Sequence, residues 1–252
     1  MNRIKISPLA STPIQSSSKD VVEQQHNTAT SLLDPFQNPG LTANPQMSVY
    51  VPMHYEKGYS YPLIVWLHSD GDDCGQLQRV MPQFSLRNYV GVAPESNEGN
   101  TAKGYYWFQE LDCVETTYES VSAAIDHALF KFNIDSQRIY LAGHGSGGTM
   151  AFRMAFERPD LFAGVISVNG SLPEGNCPLS LLEQCRDVPV FWAHCRHSAE
   201  FDQDDLCAQL KLLHVGGFSV TVRQYPCGDS LLPHILEDAD RWIMEMIDSS
   251  IL

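Results

Sequence analysis

Long apolar segments are missing from this sequence of 252 residues. The longest uninterrupted apolar run, residues 63–67, is far shorter than the ~20 residues that a membrane-spanning helix needs. The chain begins with the basic stretch MNRIKISP, but the apolar block of roughly 7 to 15 residues that marks a secretory signal does not follow it. We therefore expect no membrane span and a cytoplasmic location.

Motifs for metal binding are missing as well. The seven cysteines include no C-x-x-C pair, and no two histidines have the spacing H-x-x-x-H. The odd number of cysteines argues against a disulfide framework, and the missing pairs argue against a zinc site. We expect most cysteines to be reduced, with a single disulfide between Cys177 and Cys185 as an alternative. We expect no metal and no cofactor.

Basic residues are scarce. The chain has 16 lysines and arginines against 30 aspartates and glutamates, which gives a net charge of -14. Residues 1–45 contain three charges of each sign, so the whole acidic excess lies in the rest of the chain. A surface of this charge repels phosphate groups, which argues against nucleic acid and anionic membranes as partners.

The composition changes near residue 45. Residues 1–45 are rich in Ser, Thr, Pro, Gln and Asn without a sustained period, which predicts a poorly structured N-terminal extension. Residues 46–252 contain apolar segments typical of strands, with helical patterns between most of them. The predicted strands are residues 47–52, 61–68, 89–94, 138–143, 162–169, 188–194 and 218–225. Continuous apolar strands alternating with helices predict a single α/β domain with a mostly parallel central sheet and helices on both faces.

Ligands of such sheets bind at the carboxyl ends of the strands, and five segments stand there. They are residues 68–73, 94–107, 143–148, 194–200 and 227–234, and the motifs at or next to them are WLHSDG (66–71), GYYWFQ (104–109), LAGHGSGGTMA (141–151), PVFWAH (189–194) and YPCG (225–228). Their order and spacing resemble the α/β-hydrolase fold, and most closely its phospholipase/carboxylesterase-like esterases. The resemblance runs from about residue 47 to the C-terminus. It implies an esterase fold and a serine–histidine–aspartate site.

The serine nucleophile of this family stands at the centre of a G-x-S-x-G turn, in which the residues two places to either side must be small. With Ser146 at the centre, His144 would occupy one of these crowded positions. With Gly145 at the centre, the flanking residues are Gly143 and Gly147, which fits. Glycine also adopts the left-handed conformation without strain, whereas serine there costs about 1–3 kcal/mol. We therefore assign the nucleophile position to Gly145, and Ser146 to the first turn of the following helix.

The resemblance implies that the two other catalytic positions are also substituted. The aspartate of the family follows the strand that ends at His194, and Ser198 stands at that position. The histidine of the family follows YPCG, and Asp229 stands there. With Gly145, Ser198 and Asp229 in the three places, nucleophile and base are missing, which predicts that serine-hydrolase turnover is absent.

A ligand can still bind at a site whose catalytic side chains are substituted. Free amides at a helix N-terminus attract anions and carbonyl oxygens, and the oxyanion loop of the family adds further donors. The predicted ligand-binding residues are Ser69, Asp70, Gly71, Trp107, His144, Ser146 and Gly147. The predicted function is the binding of a small acyl or anionic ligand, or of a partner, without ester hydrolysis.

Two alternatives stay open at this point. In the first, the protein is an active carboxylesterase in which Ser146 attacks with the help of His144 or His197. In the second, GHGSGG at residues 143–148 is the G-x-G-x-x-G fingerprint of a dinucleotide-binding protein. The acidic residue expected about 20 positions later is replaced by VNG at residues 168–170, which weakens the second alternative.

Overall fold

The computed structural model describes residues 46–100, 102–175 and 177–249, so the predicted extension at residues 1–45 lies outside the described residues. The strands are β1 (Met47–Tyr50), β2 (Tyr61–Leu67), β3 (Val90–Pro94), β4 (Glu98–Asn100), β5 (Gly104–Tyr106), β6 (Ile134–His144), β7 (Gly164–Val168), β8 (Val190–Cys195) and β9 (Val220–Tyr225). The helices are α1 (Gln76–Phe84), α2 (Leu111–Lys131), α3 (Ser146–Glu157), α4 (Leu182–Cys185), α5 (Gln203–Gly216) and α6 (Pro233–Ser249).

The central sheet has seven strands in the order β1-β3-β2-β6-β7-β8-β9. Only β1 runs antiparallel to its neighbour, and the other neighbouring pairs of this sheet are parallel. Strands β4 and β5 form a separate antiparallel hairpin. The mostly parallel sheet of the predicted fold class is therefore confirmed.

Helices cover both faces of the sheet, and β2 shows why its sequence is apolar throughout. Leu63, Val65 and Leu67 pack in one core cluster with residues of α2, α3 and α5. Ile64 and Trp66 pack in a second cluster with residues of α1 and α6. Successive side chains of a strand point to opposite faces, so a strand between two helical layers must be apolar at every position.

Helix α1 is not predicted by the sequence analysis. Pro82 lies inside it, which is a residue that usually ends a helix. Its buried side chains Leu77, Val80, Met81 and Phe84 nevertheless have the spacing of one helix face. That spacing is the signal from which α1 could have been found.

The one disulfide among the described residues joins Cys195 and Cys227. Neither Cys177 nor Cys185 is part of a disulfide, so the bridge considered between them does not form. The observed pair is 32 residues apart in sequence, but Cys195 stands opposite Tyr225 in the paired strands β8 and β9. Strand register, which sequence spacing does not reveal, brings the two sulfurs together. None of the described helices combines the length and the apolar character needed to cross a membrane.

Candidate functional site

The sharp turn between β6 and α3 falls on Gly145. Its φ of 58° lies in the left-handed region, and its N–H donates to the carbonyl of Val168 at 2.9 Å. The neighbouring glycines are needed for close approach of the backbone. A Cβ on Gly143 would lie 2.3 Å from the carbonyl oxygen of Gly147, and one on Gly147 would lie 2.5 Å from the carbonyl oxygen of Leu67. Three glycines at alternate positions therefore let β6 turn directly into α3 beside β2.

The carboxylate of Asp70 occupies the space beside this turn. The Ser146 N–H donates to Oδ2 of Asp70 at 2.9 Å, and the same oxygen would lie 2.9 Å from a Cβ at Gly145. A negative charge is favourable there because the N-terminus of α3 carries partial positive charge. The structure thus corrects the expectation of a free amide at Ser146, because the chain's own carboxylate already fills it.

The loop that follows β2 also uses its amides internally. The Ser69 N–H donates to Oε1 of Gln76 at 3.1 Å, and the Gly71 N–H donates to the carbonyl of Tyr105 at 3.0 Å. Gln76, at the start of α1, also donates from Nε2 to Oγ of Ser69 and accepts from the Trp66 indole. The N–H groups of Ser69 and Gly71, which were expected to face a ligand, are therefore bound within the protein. Gln76 is a residue of the site that the sequence analysis missed.

Trp107 is almost fully buried, and it contacts two segments of the site. Its indole Nε1 donates to the carbonyl of His68 at 2.9 Å, and its ring lies 4.8 Å from the His68 ring. Its backbone N–H points to Oγ of Ser146 at 3.4 Å. Trp107 thus ties the end of β2 to the start of α3, and it is not among the residues that line the cavity described below.

The two loops beyond β8 and β9 meet through Asp229. Oδ1 of Asp229 accepts from the Ser198 hydroxyl at 2.5 Å and from Nδ2 of Asn169 at 3.2 Å, while Oδ2 accepts from the Ala199 N–H at 3.2 Å. Asp229 and Gly145 line the same cavity. The three positions that the resemblance assigned to the catalytic residues, Gly145, Ser198 and Asp229, therefore lie at one place.

Asn169 is a second residue that the sequence analysis missed. It follows β7 with a φ of 57°, and its Oδ1 accepts from the Cys195 N–H at 2.9 Å. Asparagine tolerates the left-handed conformation better than most residues, so the Asn-Gly pair at the end of a predicted strand was the available signal. Through its two bonds, Asn169 connects the end of β8 to Asp229.

A cavity of about 160 Å³ opens between these elements. It is lined by Ser69, Asp70, His144, Gly145, Asn169, Glu200 and Asp229. Three of these seven residues carry carboxylates, and no lysine or arginine is among them. Ser69, Asp70 and His144 were predicted ligand-binding residues, whereas Glu200 was not predicted.

Burial and charge shift the pKa of two groups in the cavity. Burial lowers the pKa of His144, and the nearby carboxylates of Asp70 and Asp229 only partly oppose this effect. Burial raises the pKa of Glu200, and the charges of Asp70 and Asp229 raise it further. The imidazole of His144 is therefore held neutral, and the carboxylates repel one another.

Comparisons with known proteins agree on the fold. Residues 39–220 match a family model described as "Putative esterase". A Nocardia uniformis subsp. tsuyamanensis protein described as "Putative esterase NocK" is 32% identical over 116 residues, which are 44% of this chain and 33% of that protein. The match thus spans about a third of the curated relative.

Solved structures show the same architecture at low identity. Arabidopsis thaliana SOBER1 is 19% identical with a TM-score of 0.63, and the match covers 75% of this chain and 100% of that chain. A Bacillus cereus carboxylesterase is 15% identical with a TM-score of 0.64, covering 81% of this chain and 95% of that one. Zea mays acyl-protein thioesterase 2 is 17% identical with a TM-score of 0.58, covering 81% and 99%. At these identities the structures show an α/β-hydrolase fold, and the family match, which covers most of the chain, places the protein in the esterase family.

Proposed function

We propose that this protein is a ligand-binding member of the esterase family that does not hydrolyse esters by a serine mechanism. The observation that carries the proposal is the turn at Gly145, where the family presents its nucleophile and this chain has no side chain. Covalent acyl transfer needs an attacking oxygen or sulfur at that point. The carboxylate of Asp70, which lies beside the turn, takes up the space into which a side chain would project.

The other two assigned positions support the same conclusion. Ser198 donates to Asp229, so the two substituted positions pair with each other. In the family mechanism a histidine takes the proton of the nucleophile and an aspartate orients that histidine. A hydroxyl bonded to a carboxylate supplies neither function to a nucleophile at the turn.

The alternative of an active carboxylesterase that uses Ser146 has little geometric support. Among the described residues, neither His144 nor His197 hydrogen-bonds to the Ser146 hydroxyl, which faces the backbone N–H of Trp107 instead. Without a base, a serine hydroxyl remains protonated and is a weak nucleophile. In addition, the Ser146 amide is bound to Asp70 and does not face a developing oxyanion.

The carboxylate of Asp70 also argues against the alternative of a dinucleotide-binding protein. A dinucleotide places its pyrophosphate against the helix N-terminus that follows the glycine-rich turn. Here that position, at Ser146, is taken by Asp70. The acidic walls likewise argue against the anionic ligand considered from sequence, since like charges repel in a cavity without a basic residue.

Two assays on the full chain test the absence of serine-hydrolase turnover. The wild-type protein and Ser146→Ala are treated with a fluorophosphonate probe and with p-nitrophenyl acetate, and circular dichroism shows that both are folded. We expect no labelling and equal, background hydrolysis in the two proteins. Labelling and turnover that are present in the wild type and lost in Ser146→Ala would show that the protein is an esterase. Protection against melting by NAD would instead favour the dinucleotide alternative.

A further inference from the structure

A second pocket, of about 270 Å³, lies at the opposite edge of the central sheet from Gly145. The cavity beside Gly145 follows the carboxyl ends of β2 and β6, whereas this pocket is lined by Tyr61, the first residue of β2, and by Asn88, which precedes β3. The remaining lining residues are Arg87 and four residues of the loop between β1 and β2. The volume is close to the lower end of the range of about 300–1,000 Å³ that small-molecule sites have.

The backbone around the pocket is fixed by hydrogen bonds between its two loops and β2. The Met53 N–H donates to the carbonyl of Leu86 at 2.7 Å, which joins the loop between β1 and β2 to the segment that carries Arg87. The Glu56 N–H donates to the hydroxyl of the buried Tyr61 at 3.0 Å. The main chain at Glu56 and at Arg87 is therefore held in place beside the pocket.

Two opposite charges line the pocket without pairing. Among the described residues, neither the Arg87 guanidinium nor the Glu56 carboxylate takes part in an ion pair, and the hydrogen bonds of both residues come from their backbone. Most described arginines of this acidic chain do pair with a carboxylate. Both side chains are exposed, so a small molecule can reach them. The pocket thus offers one contact for a negative group and one for a positive group.

The hydroxyl of Tyr61 adds a neutral donor. Tyr61 is only 5% exposed, and its oxygen accepts the Glu56 N–H. A tyrosine hydroxyl also has one proton to donate, and no acceptor for this proton is found in the part of the chain that the structure describes. Since buried donors normally have a partner, an acceptor oxygen of a ligand in this pocket would satisfy it.

We propose that this pocket binds a free α-amino acid. Its carboxylate lies against the Arg87 guanidinium, which can donate two parallel hydrogen bonds, and its ammonium group donates to the Glu56 carboxylate. A ligand with one charge fits less well, because Glu56 repels an anion and Arg87 repels a cation. The inference goes beyond the proposed function and uses none of the residues on which that function rests.

The apolar part of the pocket favours an aromatic side chain on the amino acid. Tyr59 is 51% exposed, and its ring packs edge-on against the Tyr61 ring with centroids 4.7 Å apart. Met53, which is also 51% exposed, lines the pocket as well. His54 adds a third ring at a φ of 60°, a left-handed conformation that is uncommon outside glycine. A phenyl ring can stack on such surfaces, so we expect phenylalanine to bind more tightly than glycine.

Titration calorimetry of the full chain with L-phenylalanine, at low ionic strength and pH 7, tests the proposal. Phenylalanine has no net charge, so the overall negative field of the protein neither attracts nor repels it. We expect saturable binding at one site, and binding of glycine that is weaker by about 2- to 10-fold because the aromatic contact is lost. Two further ligands, 3-phenylpropionate and phenethylamine, each lack one of the two charges of phenylalanine.

Variants of the two charged residues should change binding in a ligand-selective way. Arg87→Gln should weaken phenylalanine and phenylpropionate by about 3- to 5-fold, the upper range for one exposed charge pair, without weakening phenethylamine. Glu56→Gln should weaken phenylalanine and phenethylamine by the same factor, without weakening phenylpropionate. Arg186→Gln and Glu115→Gln remove equal charges from exposed positions outside the pocket, and they should leave the binding of phenylalanine within about 1.5-fold of the wild type.

Three results would each overturn the amino-acid site. They are no saturable binding of phenylalanine, equal effects of a pocket variant and its matched control, and equal weakening of all three phenyl ligands by one variant. The last result would mean that the side chain only maintains the loop. Serine-dependent ester turnover would overturn the proposed function and leave this site intact, whereas a failure to bind phenylalanine would leave the proposed function unchanged.

Discussion

The two halves of the cavity are held in different ways. The elbow half, residues 68–71 and 143–148, is shaped by the main chain through a left-handed turn, close backbone contacts and a bound amide. The loop half, residues 195–200 and 226–229, is joined by backbone hydrogen bonds from Arg196 and His197, and in addition by side chains, through the bonds of Asp229 and the disulfide between Cys195 and Cys227. The elbow half therefore requires that Gly143 and Gly147 carry no side chain, whereas the loop half uses side-chain bonds in addition to backbone ones.

Under the proposed function, this difference explains how an esterase framework persists without the catalytic side chains of the family. Gly147 is required by packing against the backbone at the end of β2, and Gly143 by the close approach of the α3 backbone, so both stay necessary whatever group stands at the turn. The loop half places its side chains on loops, where substitution changes charge and hydrogen bonding but not the path of the sheet. The framework and the chemistry of the site are consequently separable.

The largest expected effect is a substitution in the elbow half that adds one methyl group. In Gly147→Ala, the new Cβ would lie 2.5 Å from the carbonyl oxygens of Leu67 and His68, which belong to the backbone at the end of β2. We expect a loss of at least about 3 kcal/mol in the free energy of unfolding, measured by urea denaturation. Gly58→Ala is the control, because nothing lies within 4 Å of its Cβ, and its effect should stay within about 0.5 kcal/mol. Similar denaturation midpoints for the two variants would contradict the main-chain account of the elbow half.

An intermediate effect is expected at the turn itself. Gly145→Ser places a side chain at φ 58° and against Oδ2 of Asp70, so it should cost about 1–3 kcal/mol in the free energy of unfolding. Asp70→Ala removes that contact, so Gly145→Ser should cost about 1 kcal/mol less in the Asp70→Ala background, a coupling typical of residues in contact. Urea denaturation of the four proteins of this cycle gives the coupling. Additive effects would show that the carboxylate does not occupy the space beside the turn.

The smallest effect on the free energy of unfolding is expected in the loop half, where the substitution should stabilise the protein instead of destabilising it. Because the pKa of Glu200 is raised, the folded protein holds more protons than the unfolded chain between the unfolded and folded pKa values. Stability from this group is therefore lost as the pH rises through that window. Glu200→Gln removes the loss and should stabilise the protein at pH 7 by up to about 0.5 kcal/mol, a value reduced by solvent screening.

The pH dependence of melting checks this expectation. Below the unfolded pKa of about 4.3, Glu200 is neutral in both states, so the variant and the wild type should there have the same stability. Glu237→Gln removes an equal charge from an exposed position on α6 that does not line the cavity, and it should show no such pH-dependent gain. A destabilised Glu200→Gln at pH 7 would mean that this carboxylate is stabilised by its surroundings in the folded protein, which contradicts the repulsion between the carboxylates.

The sequence predicted the framework well because its signals are periodic and local. All seven strands of the central sheet were predicted, with boundaries that differ by a few residues, since each contains an apolar run or an apolar alternation. Helix α5 ends at Gly216 and is followed by the left-handed Gly217, and this Gly-Gly pair is likewise a local signal in the sequence. Helix α1 was not predicted because Pro82 interrupts its apolar pattern. The partners of Cys195 and Asp229 were not predicted because they are distant in the sequence.

By itself, the sequence determined the parallel sheet, the two helical layers and the glycine at the turn, because burial and backbone strain act on neighbouring residues. The tertiary structure alone decided that Asp70 fills the Ser146 amide, that Asn169 and Ser198 meet Asp229, and that three carboxylates share one cavity with His144. Charges and hydrogen bonds depend on distances between loops from remote parts of the chain. Those distances exist only once the strands have paired in register.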